Sequence, residues 1–189
     1  MASFTEVNPG MQVIDACAGA GGKSLHLAAL MENKGQLIAL DIYPHKLHEL
    51  KRRARRAGAY NITTRHIKSN KVIKKLHGRA DRVLIDAPCT GLGVLRRNPD
   101  SKWKIDAEFL ERVKKTQEHI INNYATMVKP GGKLVYATCS ILKEENQSQV
   151  EGFLQSEIGK QFNLEKEQFV SPAKSLSLIH ISEPTRLRR

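Results

Sequence analysis

The chain has 189 residues and a formal net charge of +12, with 40% hydrophobic residues, which is enough for one domain with a real core. It contains no apolar run of about 18 residues and no apolar leader, so we expect neither a membrane span nor a secretory signal. Its three cysteines follow no disulfide framework, which predicts free thiols in a reducing cytosol. We expect a cytoplasmic monomer that binds no metal and no membrane.

Positive charge is concentrated between residues 46 and 82. This stretch holds 13 lysines and arginines but only two acidic residues, Glu49 and Asp81. A solvated helix face is the commoner explanation of a basic run. Because so much of the net charge lies in one stretch, we favour a surface that binds a polyanion, with nucleic acid as the first candidate.

The predicted elements alternate between strand and helix along the chain. Short apolar runs indicate strands at 11–17, 36–42, 62–67, 82–88 and 133–139. The spacing of apolar residues predicts a helix from Lys23-Ser24 to before Gly35, and further helices at 44–57, about 107–128 and about 144–157. Such alternation implies parallel strands with right-handed crossovers. We therefore predict an α/β fold with a doubly wound, mostly parallel sheet of order 3-2-1-4-5.

A glycine-rich loop follows the first predicted strand and reads Asp15-Ala16-Cys17-Ala18-Gly19-Ala20-Gly21-Gly22-Lys23-Ser24. Its glycines let the backbone turn sharply and approach a ligand at a helix N-terminus. The loop is one substitution, glycine for Cys17, from a phosphate-binding P-loop, so an ATP or GTP hydrolase is one interpretation. However, the second strand ends in Asp41, which can accept both ribose hydroxyls of a nucleoside or cap the helix at Pro44. S-adenosylmethionine, for example, carries no phosphate, so its loop does not require the lysine. The loop and Asp41 together therefore favour a nucleoside cofactor over a triphosphate.

Two cysteines follow the fourth and fifth predicted strands. Cys89 ends the run Leu84-Ile85-Asp86-Ala87-Pro88-Cys89, and Cys139 lies in Leu134-Val135-Tyr136-Ala137-Thr138-Cys139-Ser140. In open α/β sheets the ligand crevice lies beyond the carboxyl ends of the strands, so we expect both thiols to point into it. A cysteine can also be a small buried hydrophobic residue, and we prefer that interpretation for Cys17.

A thiol in this crevice suits the methylation of carbon 5 of a pyrimidine. A thiolate that adds to carbon 6 makes carbon 5 enamine-like, and a base must then remove the carbon-5 proton so that the thiol is eliminated. Positive charge, with Lys23 as a candidate source, lowers a thiol pKa, and Asp86 can hydrogen-bond the reacting base. The target base leaves its stack most cheaply in single-stranded or looped RNA. This chemistry does not choose between Cys89 and Cys139 as the attacking group.

Several segments together resemble the RsmB/Sun/Nop family of S-adenosylmethionine-dependent RNA cytosine-5 methyltransferases. They are Asp15 to Ser24, Asp86 to Gly93, Arg97 to Asp100, Lys129 to Ser140 and Glu144-Glu145-Asn146. The resemblance implies a class I, Rossmann-like methyltransferase domain. It also implies methyl transfer to carbon 5 of a cytosine through a covalent cysteine adduct at carbon 6. Small-subunit ribosomal RNA is the first candidate substrate, and transfer RNA is another.

The same resemblance implies roles for single residues. Cys139 would be the nucleophile, and Cys89 would assist release of the product. The implied cofactor contacts are Cys17, Ala18, Gly19, Ala20, Gly21, Gly22, Lys23, Asp41 and Asp86. Asn70 stands near the position of the family's adenine-binding acid, and we predict it as a further contact.

The chain also departs from the family pattern. Gly19-Ala20 replaces the usual Ala-Pro, and Lys68-Ser69-Asn70 lacks the expected acid. The family's N-terminal RNA-binding region and its last strands have no counterpart, so we expect residues 1–170 to be a catalytic domain truncated at both ends. Residues 175–189 fit no sixth or seventh strand and resemble translated sequencing-adapter read-through, which predicts a non-native tail. Two other functions stay open, a P-loop-like hydrolase and a non-catalytic RNA-binding module.

Overall fold

The computed structural model describes residues 2–95, 99–100, 103, 105–168 and 185–189. Its strands are β1 (Gln12–Asp15), β2 (Gln36–Asp41), β3 (Ile62–His66), β4 (Ala80–Asp86), β5 (Val128–Ala137), β6 (Asn163–Glu167) and β7 (Thr185–Arg188). Its α-helices are α1 (Gly22–Leu30), α2 (Pro44–Arg56), α3 (Lys71–Lys74), α4 (Ala107–Ala125) and α5 (Gln147–Gln155). Short 3-10 turns lie at Ala2–Thr5, Leu92–Val94, Lys143–Glu145 and Gly159–Gln161. Within these ranges no helix is long and apolar enough to cross a membrane.

Seven strands form one sheet in the order β3-β2-β1-β4-β5-β7-β6. The first five are parallel, which confirms the predicted α/β class and the order 3-2-1-4-5. β7 runs antiparallel to both β5 and β6. The expectation that the outer strands are missing is therefore wrong.

The correction concerns the end of the chain, where residues 185–188 were expected to supply no strand. Leu187 pairs with Leu134 of β5 and has no exposed surface, so it extends the core beneath the sheet. A four-residue strand carrying one apolar side chain is too short for an alternation signal, which explains the error. The non-native origin of residues 175–189 and the domain boundary at 170 stay predictions.

The helices cover both faces of the sheet. Successive strand residues point to opposite faces, and Val13 packs with Leu27 of α1 while Ile14 packs with Ile73 of α3. On the first face α2 joins α1 through the side chains Leu47, Leu50 and Ala54. On the second face α4 and α5 join α3 through Ile120, Ile121, Tyr124, Val150 and Phe153. This two-sided cover makes the sheet interior apolar and confines its polar groups to the strand ends.

The predicted helix and strand positions are confirmed with a few differences at the ends. α2 begins at Pro44, as the fixed φ of proline favours in a first turn. α4 begins after Asp106, whose carboxylate accepts the Phe109 backbone N–H at 2.7 Å. β5 begins at Val128 rather than 133 because Val128 pairs with Ala80 before a register shift, with regular pairing resuming at Lys133. The single turn α3 was not predicted, since four residues are too few to show helical periodicity.

Replacing Leu187 tests whether β7 is part of the fold. Leu187→Ala should lower the free energy of unfolding by about 2–5 kcal/mol, because it deletes a fully buried side chain. Arg188→Ala, an exposed neighbour in the same strand, should change it by less than about 0.5 kcal/mol. Urea denaturation followed by circular dichroism measures both. Equal, small effects of the two substitutions would contradict the placement of β7.

Candidate active site

The two predicted thiols meet at the carboxyl end of the sheet. β4 and β5 pair in parallel as far as Asp86 and Ala137, so the segments that leave them run side by side. The Cys89 Sγ lies 3.1 Å from the Cys139 Sγ, and the Cys139 backbone N–H donates to the Cys89 Sγ at 3.3 Å. The structure thus joins two cysteines that are 50 residues apart in the chain.

The hydrogen bond between the two sulfurs shifts their pKa values in opposite directions. The hydrogen bond with Cys89 is the largest cause that lowers the pKa of Cys139 below the ordinary thiol value. Lys23 also lowers this pKa, whereas burial and Asp86 raise it. The same hydrogen bond, followed by burial, raises the pKa of Cys89. Cys139 is therefore the thiol that loses its proton more readily than Cys89.

A buried carboxylate fixes the segment that carries Cys89. Glu145 has no exposed surface, and its Oε1 accepts the Thr90 backbone N–H at 2.9 Å while its Oε2 accepts the Thr90 hydroxyl at 2.6 Å. Gln117 of α4 donates its Nε2 both to Glu145 Oε1 at 3.0 Å and to the Pro88 carbonyl at 2.9 Å. Because the residues on either side of Cys89 are held in this way, its Sγ has a defined position.

A second set of hydrogen bonds fixes the segment that carries Cys139. Asn146 donates its Nδ2 to the Ser140 and Leu142 carbonyls, both at 3.0 Å, and its Oδ1 accepts the Thr138 hydroxyl. The Ser140 and Thr90 hydroxyls lie 3.1 Å apart, which links this set to the one around Glu145. The two thiols therefore belong to one hydrogen-bonded unit.

The glycine-rich loop forms a tight turn from β1 into α1. Gly21 has a φ of +87°, and a Cβ there would overlap Leu50 of α2, so only glycine fits without strain. Gly19 also adopts a positive φ, of +54°, and its N–H donates to Asp41 Oδ2 at 2.8 Å. The other oxygen of Asp41 accepts the Tyr43 N–H at 2.8 Å. Asp41 thus joins the loop to the start of α2.

Two further carboxylates lie at the ends of β1 and β4. Asp86 forms an ion pair with Lys23 of α1. Asp15 is fully buried and accepts the Ser24 hydroxyl at 2.6 Å, while its Oδ1 has no hydrogen-bond partner among the described residues. Burial is the main cause that raises the pKa of Asp15 to about 6, and the negative charge of Asp86 adds to it. Sequence reasoning assigned no site role to Asp15.

Two adjoining cavities bring most of the predicted site residues together. A cavity of about 360 Å³ is bordered by both thiols and by Cys17, Gly19, Asp41 and Asp86. A smaller one, of about 180 Å³, is bordered by Cys17, Ala18, Gly22, Lys23 and Asp86. Ala20, Gly21 and Asn70 border neither cavity.

These three residues have other places in the structure. The Ala20 carbonyl accepts from Arg53 at 2.8 Å, and Gly21 forms the turn. Asn70 is exposed and lies directly before α3. Of the residues between β3 and α3, Ile67 borders the larger cavity instead. The contact predicted for Asn70 stays a prediction.

The residues at these cavities fit S-adenosylmethionine better than a nucleoside triphosphate. Each Asp41 oxygen accepts one backbone N–H and keeps a lone pair for a ribose hydroxyl. Asp86 and Lys23 offer opposite charges to the amino and carboxylate groups of an amino acid. A P-loop instead needs free backbone N–H groups to hold phosphates, but the Gly19 N–H donates to Asp41. Among the residues with a described position, no cluster of His, Cys, Asp or Glu could hold a metal ion.

The sheet order, the loop after β1 and the acid that ends β2 define a class I, Rossmann-like methyltransferase domain. The chain belongs to the RsmB/F family of 16S rRNA methyltransferases, whose family model matches residues 3–177. S-adenosylmethionine is the cofactor of this family.

Relatives and solved structures agree with this assignment. The probable ribosomal RNA small subunit methyltransferase B of Bacillus subtilis (strain 168) is 40% identical over 144 residues, which are 76% of this chain and 32% of that protein. The corresponding enzyme of Shewanella oneidensis is 38% identical over 154 residues, 75% of this chain and 33% of that protein. The structure of NSun6 from Pyrococcus horikoshii with SFG is 29% identical with a TM-score of 0.85, covering 99% of this chain and 50% of that chain. This chain therefore spans about a third of the length of these curated relatives.

Sequence reasoning missed the residues that hold the thiol segments. Thr90, Glu145 and Asn146 were part of the resemblance but had no assigned role, and Gln117 was not singled out. Gln117 gave a signal, because it is a polar residue on the buried stripe of α4 that contains Ile120, Ile121 and Tyr124. A polar residue at such a position needs a buried partner. The identity of that partner depends on tertiary structure.

The inequality of the two thiols can be measured by alkylation. Cys89→Ala removes the hydrogen bond to Cys139, so the pKa of Cys139 should rise and its iodoacetamide reaction near pH 7 should slow severalfold. Cys89→Ser keeps an O–H donor and should slow the reaction less. Cys17→Ala is the control, since it leaves the hydrogen bond between Cys89 and Cys139 in place, and burial raises the pKa of Cys17. Mass spectrometry of the modified peptides across a pH series gives the midpoint pH of the alkylation of each cysteine. An unchanged or lower midpoint for Cys139 in Cys89→Ala would contradict the assignment.

Proposed function

We propose that this chain belongs to an enzyme that transfers a methyl group from S-adenosylmethionine to carbon 5 of a cytosine in RNA through a covalent cysteine adduct. The observation that carries the proposal is the thiol pair, with a sulfur–sulfur distance of 3.1 Å at a cavity that Asp41 also borders. Small-subunit ribosomal RNA is the first candidate substrate, because the similar proteins are named for it.

Cys139 supplies the nucleophile in this proposal. Its thiolate forms a bond to carbon 6 of the cytosine. The electron pair of the 5,6 double bond shifts to the bond between carbons 4 and 5, and that of the 3,4 double bond shifts to N3, so carbon 5 becomes the nucleophilic end of an enamine. Asp86, in contact with Lys23, borders the same cavity and is placed to hydrogen-bond the polar edge of the base. S-adenosylmethionine, when bound, would supply the methyl group to carbon 5 and leave as S-adenosylhomocysteine.

Cys89 assists the release of the product. The hydrogen bond to Cys139 is the main cause of its raised pKa, and that cause disappears once the Cys139 sulfur is bound to carbon 6. Cys89 can then lose its proton to solvent and accept the proton of carbon 5. The 5,6 double bond forms again, the bond between carbon 6 and sulfur breaks, and Cys139 leaves as a thiolate.

The cofactor site in this proposal extends over both cavities. Asp41 would accept the ribose hydroxyls, Lys23 and Asp86 would bind the amino acid end, and the loop from Cys17 to Gly22 would provide the close backbone approach. Asn70 remains the predicted adenine contact. The two other classes of function receive less support. The Gly19 N–H, which a phosphate-binding loop would leave free, donates to Asp41, and a binding module has no need for a paired thiol.

Trapping of the adduct tests the two thiol roles. Cys89→Ala should accumulate a covalent protein–RNA complex with a cytosine-containing RNA and S-adenosylmethionine, because product release fails. Cys139→Ala and the double variant should form none. Denaturing gel electrophoresis with labelled RNA detects the complex. A complex with Cys139→Ala instead would reverse the roles, and the lack of a complex with Cys89→Ala would refute the assignment of release to Cys89.

Calorimetry tests the cofactor. The chain should bind S-adenosylmethionine and not ATP. Asp41→Asn, which keeps one acceptor oxygen, should weaken binding by roughly tenfold through the lost hydrogen bond to the ribose. Asn70→Ala measures the contact predicted for that exposed residue, and an unchanged affinity would remove Asn70 from the site. A preference for ATP would overturn the proposed function.

A further inference from the structure

Exposed basic side chains surround β3, the strand at one edge of the sheet. We call this surface the basic edge, and its members come from α2, β3 and α3 with the segments that follow them. They are Lys51, Arg55, Arg56, Arg65, Lys68, Lys71, Lys74, Lys75 and Arg79. The feature is a surface of one charge sign, built from consecutive elements.

The acidic residues of this part of the chain do not neutralise the basic edge. Glu49 pairs with Arg52 at 2.6 Å, which leaves the other basic residues of α2 without it. Asp81 pairs with Lys129 and accepts the Gln12 N–H at 2.8 Å. In the part of the chain that the structure describes, none of the nine side chains of the basic edge forms an ion pair.

The sheet places these charges on both sides of β3. α2 packs on the face that Ile62 faces, whereas α3 packs on the opposite face, where Ile67 lies. Arg65 shares the parity of Ile67 and so points to the α3 side. The positive charge therefore continues around the edge of the sheet from one face to the other.

The basic edge is continuous with the candidate active site. Lys68 and Lys71 directly follow the carboxyl end of β3, the same end of the sheet at which the thiols lie. Lys46, near the start of α2, borders the larger cavity. Two tyrosines flank α2, Tyr43 with 47% and Tyr60 with 83% of its surface exposed. Exposed aromatic rings among basic residues are typical of surfaces that bind RNA, where bases stack on the rings.

We propose that the basic edge binds the phosphates of the RNA strand that flanks the target cytosine and so positions that cytosine at the thiols. The inference rests on the proposed function in one respect, that the substrate is RNA. The competing explanation is that the charges only protect an open sheet edge from pairing with other strands. The two explanations predict different salt dependence of RNA binding. Phosphate contacts release counterions and make binding steeply dependent on salt, whereas protection of the sheet edge requires no such dependence.

Two triple variants with the same loss of charge separate these explanations. Arg55→Gln, Arg65→Gln and Lys74→Gln together remove one charge each from α2, β3 and α3. The control combines Lys115→Gln, Lys143→Gln and Lys160→Gln, three exposed lysines of α4 and the 3-10 turns that flank α5. Neither set includes a residue at the two cavities, so both variants should keep the wild-type affinity for S-adenosylmethionine.

The probe is a short RNA hairpin with one cytosine in its loop, titrated by fluorescence anisotropy at several salt concentrations. For the basic-edge variant, the slope of log K against log salt should become shallower by about two to three, since each phosphate contact contributes roughly 0.7–0.9. Its affinity at low salt should fall by about tenfold or more. The control should keep a slope within about one unit of the wild type.

Equal changes in both variants, or binding of the wild-type chain without salt dependence, would overturn the proposal. The outcome is distinct from that of the trapping experiment. Salt-dependent binding through the basic edge together with no covalent adduct would refute the cytosine chemistry and leave the basic edge intact. An adduct together with equal slopes for the two variants would support the cytosine chemistry and refute RNA binding by the basic edge.

Discussion

The parallel pairing of β4 with β5 is the constraint on which the candidate site depends. It ends at Asp86 and Ala137, and the chain beyond each strand reaches a cysteine within three residues. Pairing alone would leave two free segments at the sheet edge. Glu145 and Asn146 convert them into one unit, since each accepts or donates hydrogen bonds with the segments around the sulfurs. A buried carboxylate whose two oxygens are both engaged in this way rigidifies its surroundings.

Three aspartates and one lysine carry the charge at the carboxyl ends of the central strands. Asp15, Asp41 and Asp86 end three neighbouring strands, and Lys23 is the cation that pairs with Asp86. Burial and the neighbouring Asp86 explain why the pKa of Asp15 is raised to about 6. Lys23 also acts on the pKa of Cys139 in the opposite direction from Asp86. Both members of the ion pair that borders the cavities therefore act on the pKa of Cys139.

The sequence allowed the sheet order, the five parallel strands and the meeting of the thiols to be predicted. Each of these follows from local patterns, such as the apolar run that ends at Asp86 or the helix start at Pro44. The contacts of Glu145 with Thr90 and Gln117, which are 55 and 28 positions away, could not be predicted, because no local pattern indicates which side chains a buried carboxylate binds. β7 was missed because four residues with a single leucine show no alternation of apolar and polar side chains. The position of Asn70 outside both cavities depends on how α3 leaves β3, which no spacing reveals.

β7 also changes which strands lie at the border of the sheet. β5 has Leu134, Val135 and Tyr136 fully or almost fully buried, and as a border strand it would offer a long apolar template for association with other chains. With β7 beside it, the two border strands among the described residues are β3 and β6. β3 carries Arg65, and β6 carries Glu165, Lys166 and Glu167. Charged borders of this kind oppose strand-to-strand aggregation, so the last short strand contributes to solubility as well as to the core.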